Sequence, residues 1–180
     1  MKEIRLHGIG GMGTVKAGEI LVHANVATGR FGNSMPFFGF ERKGAPVTSF
    51  VRLDDRKIRA KNKVYNPHCV LVLDPSLLVS SNVFEGLREE SVFVLNTPLQ
   101  KPIKLVTSDA VKTAAFLDAT ELSLEILGRP VTNTVMLGAF VRTTGWVDAE
   151  VVKQRIADTF GEINAKAFQA GFDKVDIVNL

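Results

Sequence analysis

The chain opens with a short apolar run and then changes period. Ile4-Arg5-Leu6 alternates like a strand, and Thr14 to Thr28 repeats like a helix, with Ala17, Ile20, Leu21, Ala24 and Ala27 on one face. Gly29 supplies a C-terminal stop. The next stretch, Phe31-Gly32-Asn33-Ser34-Met35-Pro36, does not read as a strand, and a loop is expected through to Pro46. Val47 to Leu53 alternates again, Asp54-Asp55-Arg56 is a turn, and Lys57 to Tyr65 returns as the second arm of a hairpin. A hairpin is antiparallel, so a sheet that includes it is mixed.

Farther on, the apolar runs become continuous, as in strands buried on both faces. Cys69–Leu73, Ser91–Asn96 and Ile103–Val106 read this way, with room for a short helix in Ser76–Arg88. Ala110–Leu117 stays open between a helix and a helix leading into a short strand. Helices are expected at Ser123–Leu127 and Asn133–Thr143, closed by Gly128 and Gly145. Asp148 is placed to cap a helix over Ala149–Phe160, and Gly171 to end a last one over Glu162–Ala170. There is no repeat and no linker, so residues 1–180 are expected to form one α/β domain.

An apolar fraction of 46% supports a real core. No apolar run approaches the roughly 18 residues of a membrane span, and the first residues lack the apolar stretch of a secretory signal, so a cytoplasmic protein is expected. The net charge of +3 singles out no partner. One tryptophan and one tyrosine are too few for an aromatic nucleic-acid platform. Cys69 is the single cysteine; it cannot hold an iron–sulfur cluster and reads as a core residue of its strand. His7, His23 and His68 have no ligand spacing around them, so no metal site is expected. No nucleophile–base–acid set is visible, and no catalytic residue is assigned.

The densest local signal is the turn His7-Gly8-Ile9-Gly10-Gly11-Met12-Gly13, between the first strand and the first helix. Glycine permits positive φ and close approach, and a helix start favours an anion. Gly8, Gly10, Gly11 and Gly13 therefore either contact a phosphate or carboxylate, or pack the strand tightly on the helix. Gly8, Gly10 and Gly13 match the spacing of the dinucleotide fingerprint, which gives the chain a Rossmann-like start. The acid needed about 20 residues on is missing, because Thr28-Gly29-Arg30 stands there and the first acid after it is Glu41.

Two further segments stand out. Pro36 to Pro46 holds Phe37, Phe38 and Phe40 beside Arg42, which suits either a loop folded onto its own core or an interface with another chain. Lys57, Arg59, Lys61 and Lys63 occupy alternate positions of the expected return arm. That pattern suits a protected sheet edge first, and docking of an acidic partner second.

Taken together, Gly8-Ile9-Gly10-Gly11-Met12-Gly13, Phe37-Phe38-Gly39-Phe40-Glu41-Arg42-Lys43-Gly44-Ala45-Pro46-Val47 and Asp74-Pro75-Ser76-Leu77-Leu78 resemble the gamma subunit of 2-oxoacid:ferredoxin oxidoreductases, over nearly the whole chain. Met12 stands where that family usually has Gln, and Lys43 where it often has Arg. The Phe-Phe-Gly form of the loop looks more like the pyruvate and branched-chain members. The resemblance implies a three-layer α/β/α domain with a mixed, mostly parallel sheet and an antiparallel hairpin. It also implies an assembly that decarboxylates a 2-oxoacid, forms an acyl-CoA and reduces ferredoxin. Alpha, beta and delta subunits are the implied partners, with thiamine diphosphate, Mg2+ and iron–sulfur clusters held outside this chain. On that footing Phe37, Phe38, Phe40 and Arg42 face a partner, and the glycine turn packs there or meets the phosphates of coenzyme A. A stand-alone nucleotide-binding oxidoreductase and an anion-binding regulatory module are the alternatives.

Overall fold

The computed structural model describes residues 1–38, 44–99 and 102–180, with Phe38 described by its backbone alone. Its elements are β1 (Lys2–Ile9), α1 (Thr14–Ala27), β2 (Phe31–Phe38), β3 (Pro46–Asp54), β4 (Cys69–Val72), α2 (Leu77–Ser80), β5 (Ser91–Asn96), β6 (Val111–Leu117), α3 (Ala119–Leu127), α4 (Asn133–Thr144), α5 (Ala149–Phe160), α6 (Glu162–Lys174) and β7 (Asp176–Asn179). The strands form a single sheet in the order β2-β3-β1-β4-β5-β6-β7. β1, β2, β4, β5 and β6 run one way; β3 and β7 run against them. The expected mixed, mostly parallel α/β sheet is therefore present.

Strand alternation sorts the core into two faces. Ile4, Leu6, Val51, Leu53, Leu71, Val94 and Ala115 meet the helical layer, where Ile20, Leu21, Met136, Phe140 and Phe168 are buried. Val70, Val72, Phe93, Leu95 and Phe116 point the other way, under Leu77, Val83 and Leu105. The second layer is thin. Its regular structure among the described residues is the four-residue α2 and one turn of 3-10 helix over Pro102–Leu105.

Several expectations need correction. Phe31–Pro36 is strand after all, as most of β2. Its residues are poor strand formers, but α1 lies directly on it: a Cβ on Gly18 would meet Ser34 Oγ at 3.2 Å. Packing on a helix outweighs weak propensity, and Pro36 is tolerated because β2 is an edge. The antiparallel hairpin exists, but its arms are β2 and β3, and Lys57–Tyr65 forms no strand. Both edges of β3 are already taken, by β1 and β2, so a return arm has nothing to pair with. The 57–65 segment instead lies across the sheet, where Asn33 donates to Ala60 O at 2.9 Å and Arg52 donates to Asn62 O at 2.8 Å. Ile103–Val106 is not a strand; the neighbour of β5 is β6, which settles Ala110–Leu117 as extended. Gly171 does not end α6, which runs on to Lys174, and β7 follows without having been expected.

Candidate functional site

The strand order changes direction at the glycine turn. From β1 the chain leaves toward β3 and β2, while β4 lies on the other side, so the carboxyl ends of β1 and β4 flank the switch point of the sheet. Leu73, just past β4, is tied in from both sides. Its N–H donates to His7 O at 2.8 Å, and its carbonyl accepts from Asn96 Nδ2 at 2.9 Å and Thr132 Oγ1 at 3.2 Å. Asn96 Oδ1 also accepts from Ala119 N at 2.9 Å, at the start of α3. The starts of α1, α3 and α4 thus converge on this end of the sheet.

The glycines of the turn divide by role. Gly8 and Gly13 are packing positions: a Cβ on Gly8 would stand 1.9 Å from Thr14 Oγ1, and one on Gly13 would stand 2.3 Å from Asn133 Nδ2. Gly13 is also the N-cap of α1 with φ +79°, and Gly11 has φ +92°. Gly10 prolongs the β1–β3 pairing, donating to Ala45 O at 2.8 Å and accepting from Gly44 N at 3.3 Å. Tight strand–helix packing therefore accounts for Gly8, and the close approach of α4 accounts for Gly13.

An opening remains at the start of α1. Gly13 brings no capping side chain, the first turn holds no acid, and a cavity of about 190 Å³ lies there, lined by Gly10, Gly11, Gly13, Val15 and Lys16. The first N–H groups of a helix have no acceptor within it and carry partial positive charge. With Lys16 beside them, the cavity suits an anion.

Among the described residues a nicotinamide dinucleotide has no seat for its ribose. The acid of that fold comes from a parallel strand next to the first one. In this sheet the antiparallel β3 occupies that place and pushes β2 one position out.

His7 does not face the turn. It lies on the opposite face of β1 from Leu6, buried beside Arg5, and its Nε2 has no hydrogen-bond partner. Burial, and then the charge of Arg5, lower its pKa to about 3, so the imidazole is neutral near pH 7. Cys69 is fully buried in β4, where desolvation pushes the thiol well above its ordinary range. A sealed lone thiol does not fit a cluster. Among the described residues, no group of three or more His, Cys, Asp or Glu is arranged to hold a metal ion. No helix of the described residues is long and apolar enough to cross a membrane.

Of the aromatic segment, Phe37 lies near the end of β2 at 43% exposure, tilted against Phe50 at 6.4 Å between centroids, with Lys63 Nζ 3.5 Å from its ring centre. Phe38 is placed in β2 by backbone alone, and Phe40 and Arg42 lie outside the described residues. Phe37 borders a second cavity, of about 490 Å³, floored by Arg5, His7, Thr48 and Phe50 and walled by Lys63 and Tyr65. Sequence reasoning passed over Arg5. Its signal was a cation between Ile4 and Leu6 in a strand that becomes central to the sheet.

Comparison with known proteins places this geometry. A family profile described as pyruvate ferredoxin/flavodoxin oxidoreductase matches residues 3–174. The chain is 44% identical over 185 residues to the Pyrococcus furiosus protein named pyruvate/ketoisovalerate oxidoreductases common subunit gamma, covering 100% of both. It is 45% identical over 161 residues to the NADH-dependent phenylglyoxylate dehydrogenase subunit gamma of Aromatoleum evansii, which is 88% of this chain and 83% of that one. The crystal structure of pyruvate oxidoreductase subunit PORC from Thermotoga maritima matches with a TM-score of 0.86 at 34% identity, over 99% of this chain and 98% of that one.

Proposed function

Because the chain belongs to the pyruvate ferredoxin/flavodoxin oxidoreductase family, we propose that it is the gamma subunit of a multi-subunit 2-oxoacid oxidoreductase that forms an acyl-CoA. The observation that carries this reading is the end-to-end match to a separate gamma chain, 100% of each at 44% identity. The side chains support it: the thiol is sealed and His7 is held neutral, so neither offers redox or acid–base chemistry.

In this reading, alpha, beta and delta companions hold thiamine diphosphate, Mg2+ and the iron–sulfur clusters, and ferredoxin takes the electrons. The substrate is pyruvate or a branched-chain 2-oxoacid. Phe37, Phe38, Phe40 and Arg42 face a companion. The open start of α1, with Gly10, Gly11, Gly13 and Lys16, takes a phosphate of coenzyme A, while Gly8 holds the strand to the helix.

The test is reconstitution. The purified chain, given pyruvate or 2-oxoisovalerate, coenzyme A and an oxidised viologen dye, should reduce no dye. Companions prepared without it should regain activity when it is added. Turnover by the chain alone, or full activity of an assembly lacking it, would refute the assignment.

A further inference from the structure

Two arginines on neighbouring strands of the far face are buried to a similar degree, Arg5 at 7% and Arg52 at 3% exposure, but only one is satisfied. Arg52 Nε donates to Glu3 Oε1 at 2.9 Å, Nη1 to Asn62 O at 2.8 Å, and Nη2 to Lys63 O at 3.1 Å. Arg5 engages only Nη2, on the carbonyls of Val83 at 2.9 Å and Glu85 at 2.7 Å. Its Nε is buried without a partner, and no carboxylate of the described residues comes within ion-pair distance. His7 Nε2, two residues along the same face, is orphaned too. The charge of Glu85 offsets only part of the burial of Arg5; a buried guanidinium lacking an ion-pair partner is costly, and so is a buried polar atom lacking a hydrogen bond. Native proteins rarely keep both at one place without a use for them.

Both residues floor the 490 Å³ cavity, whose rim is amphipathic. Phe37 and Tyr65 are exposed at 43% and 64%, and Lys63 lies over the Phe37 ring. Among the described residues Glu85 is the one acid lining the cavity, and it forms no ion pair with Arg5. From Lys63 the positive charge continues outward. Lys57, Arg59 and Lys61 are exposed, alternate with the half-buried Ile58 and Ala60, and have no acid among them. The alternation expected of a strand thus survives in a segment that is not one, held in place by Arg52 and Asn33. From 57 to 63 an extended chain spans up to about 20 Å, longer than a small acid.

We propose that this recess and the cationic strap beside it receive an acidic segment of a companion subunit, with one carboxylate seated over Arg5 and others along Lys61, Arg59 and Lys57. The proposal rests on the subunit assignment above and gives the partner surface its chemistry: extended, acidic, with an apolar side chain set between Phe37 and Tyr65. Strap charges raise the encounter rate, and the recess slows release.

The test measures binding of the chain to the complex of the remaining subunits, as a function of KCl. Lys57→Glu with Lys61→Glu should weaken binding about tenfold or more and flatten its salt dependence, with the melting temperature of the isolated chain unchanged. Arg5→Met should speed release about tenfold or more while leaving association at low salt near the wild-type rate. Lys166→Glu, on the exposed side of α6, is the control and should bind as wild type. If Arg5→Met does not fold, the strap variant decides. Wild-type binding by the strap variant would overturn the proposal. So would one-to-one, sub-millimolar binding of acetate or pyruvate to the isolated chain that Arg5→Met abolishes, since the recess would then be a small-acid site. If the unmodified chain binds no companion at all, the subunit assignment itself fails, and this inference with it.

Discussion

Gly171 in α6 lies so close to Val135 in α4 that a Cβ on the glycine would stand 1.9 Å from the valine carbonyl oxygen. The contact is answered one turn away, where a Cβ on Gly138 would stand 2.0 Å from Phe168 O. The two helices meet backbone to backbone, with no room for a methyl group on either side. Gly171→Ala should therefore destabilise the chain by about 3 kcal/mol or more, since overpacking against main chain cannot relax by a rotamer change. Gly145→Ala is the comparison: its φ is +61° but nothing lies within 4 Å, so it should cost only about 1 kcal/mol. Urea unfolding of the two variants measures the gap, and equal losses would contradict this account of the α4–α6 contact.

Glu3 is the counter-charge for two arginines. Its carboxylate accepts from Arg52 Nε at 2.9 Å and from Arg88 Nη2 at 2.9 Å, and Arg52 is almost wholly buried. Glu3→Ala leaves that guanidinium unpaired and should cost about 3–5 kcal/mol. Arg88→Ala removes a half-exposed partner and should cost about 1 kcal/mol or less. Denaturation midpoints at constant m-value would establish the order.

His7 makes the chain sensitive to acid. Its pKa falls to about 3 on folding, because burial and then Arg5 disfavour the imidazolium. The unfolded chain, with an ordinary histidine near 6.5, binds the extra proton first. Stability from this group is thus full above about pH 6.5 and is lost as the pH falls toward about 3, at up to about 1.4 kcal/mol per pH unit. His68 is lowered in the same direction, mainly by burial, so His7→Gln should reduce the acid slope rather than remove it. Urea melts between pH 4.5 and pH 7.5 would show whether the variant profile is flatter.

Cys69 should not react in the folded chain. It is fully buried in β4, and desolvation raises its thiol well above the usual range. A disulfide reagent at pH 8 should label it only as fast as the chain opens, and immediate labelling without denaturant would show that β4 is not sealed.

Lys16 tests the opening at the start of α1. It lines the small cavity and pairs at 2.7 Å with Glu19 on the exposed helix surface. In the assembled enzyme, Lys16→Glu should raise the KM for coenzyme A about fivefold, with kcat and melting temperature little changed. An unchanged KM would leave the glycine turn with packing as its whole role.

Much of this architecture was open to inspection in the amino-acid order. The strands at Cys69 and Ser91 are continuous apolar runs, and α1, α4 and α5 carry helical periodicity with Gly29, Gly145 and Asp148 marking their ends. The glycine turn likewise announced a close strand-to-helix passage, and Gly8 fills that role, while Gly13 makes room for Asn133 of α4. These are local signals, carried by residues a few positions apart, so no knowledge of distant contacts is needed to interpret them. Edges and partners are another matter. Phe31–Phe38 is a strand because α1 and β3 cover it, and Lys57–Tyr65 is not one because β1 and β2 have already claimed both sides of β3. Gly171 could stop a helix or let two helices touch, and the placement of Val135 chose between them. Arg5 and Arg52 are chemically the same side chain; the ion pair that Glu3 makes with one, and that no carboxylate of the described residues makes with the other, sets them apart. Pairing and burial depend on which segments reach a place together, and that is a property of the folded chain as a whole.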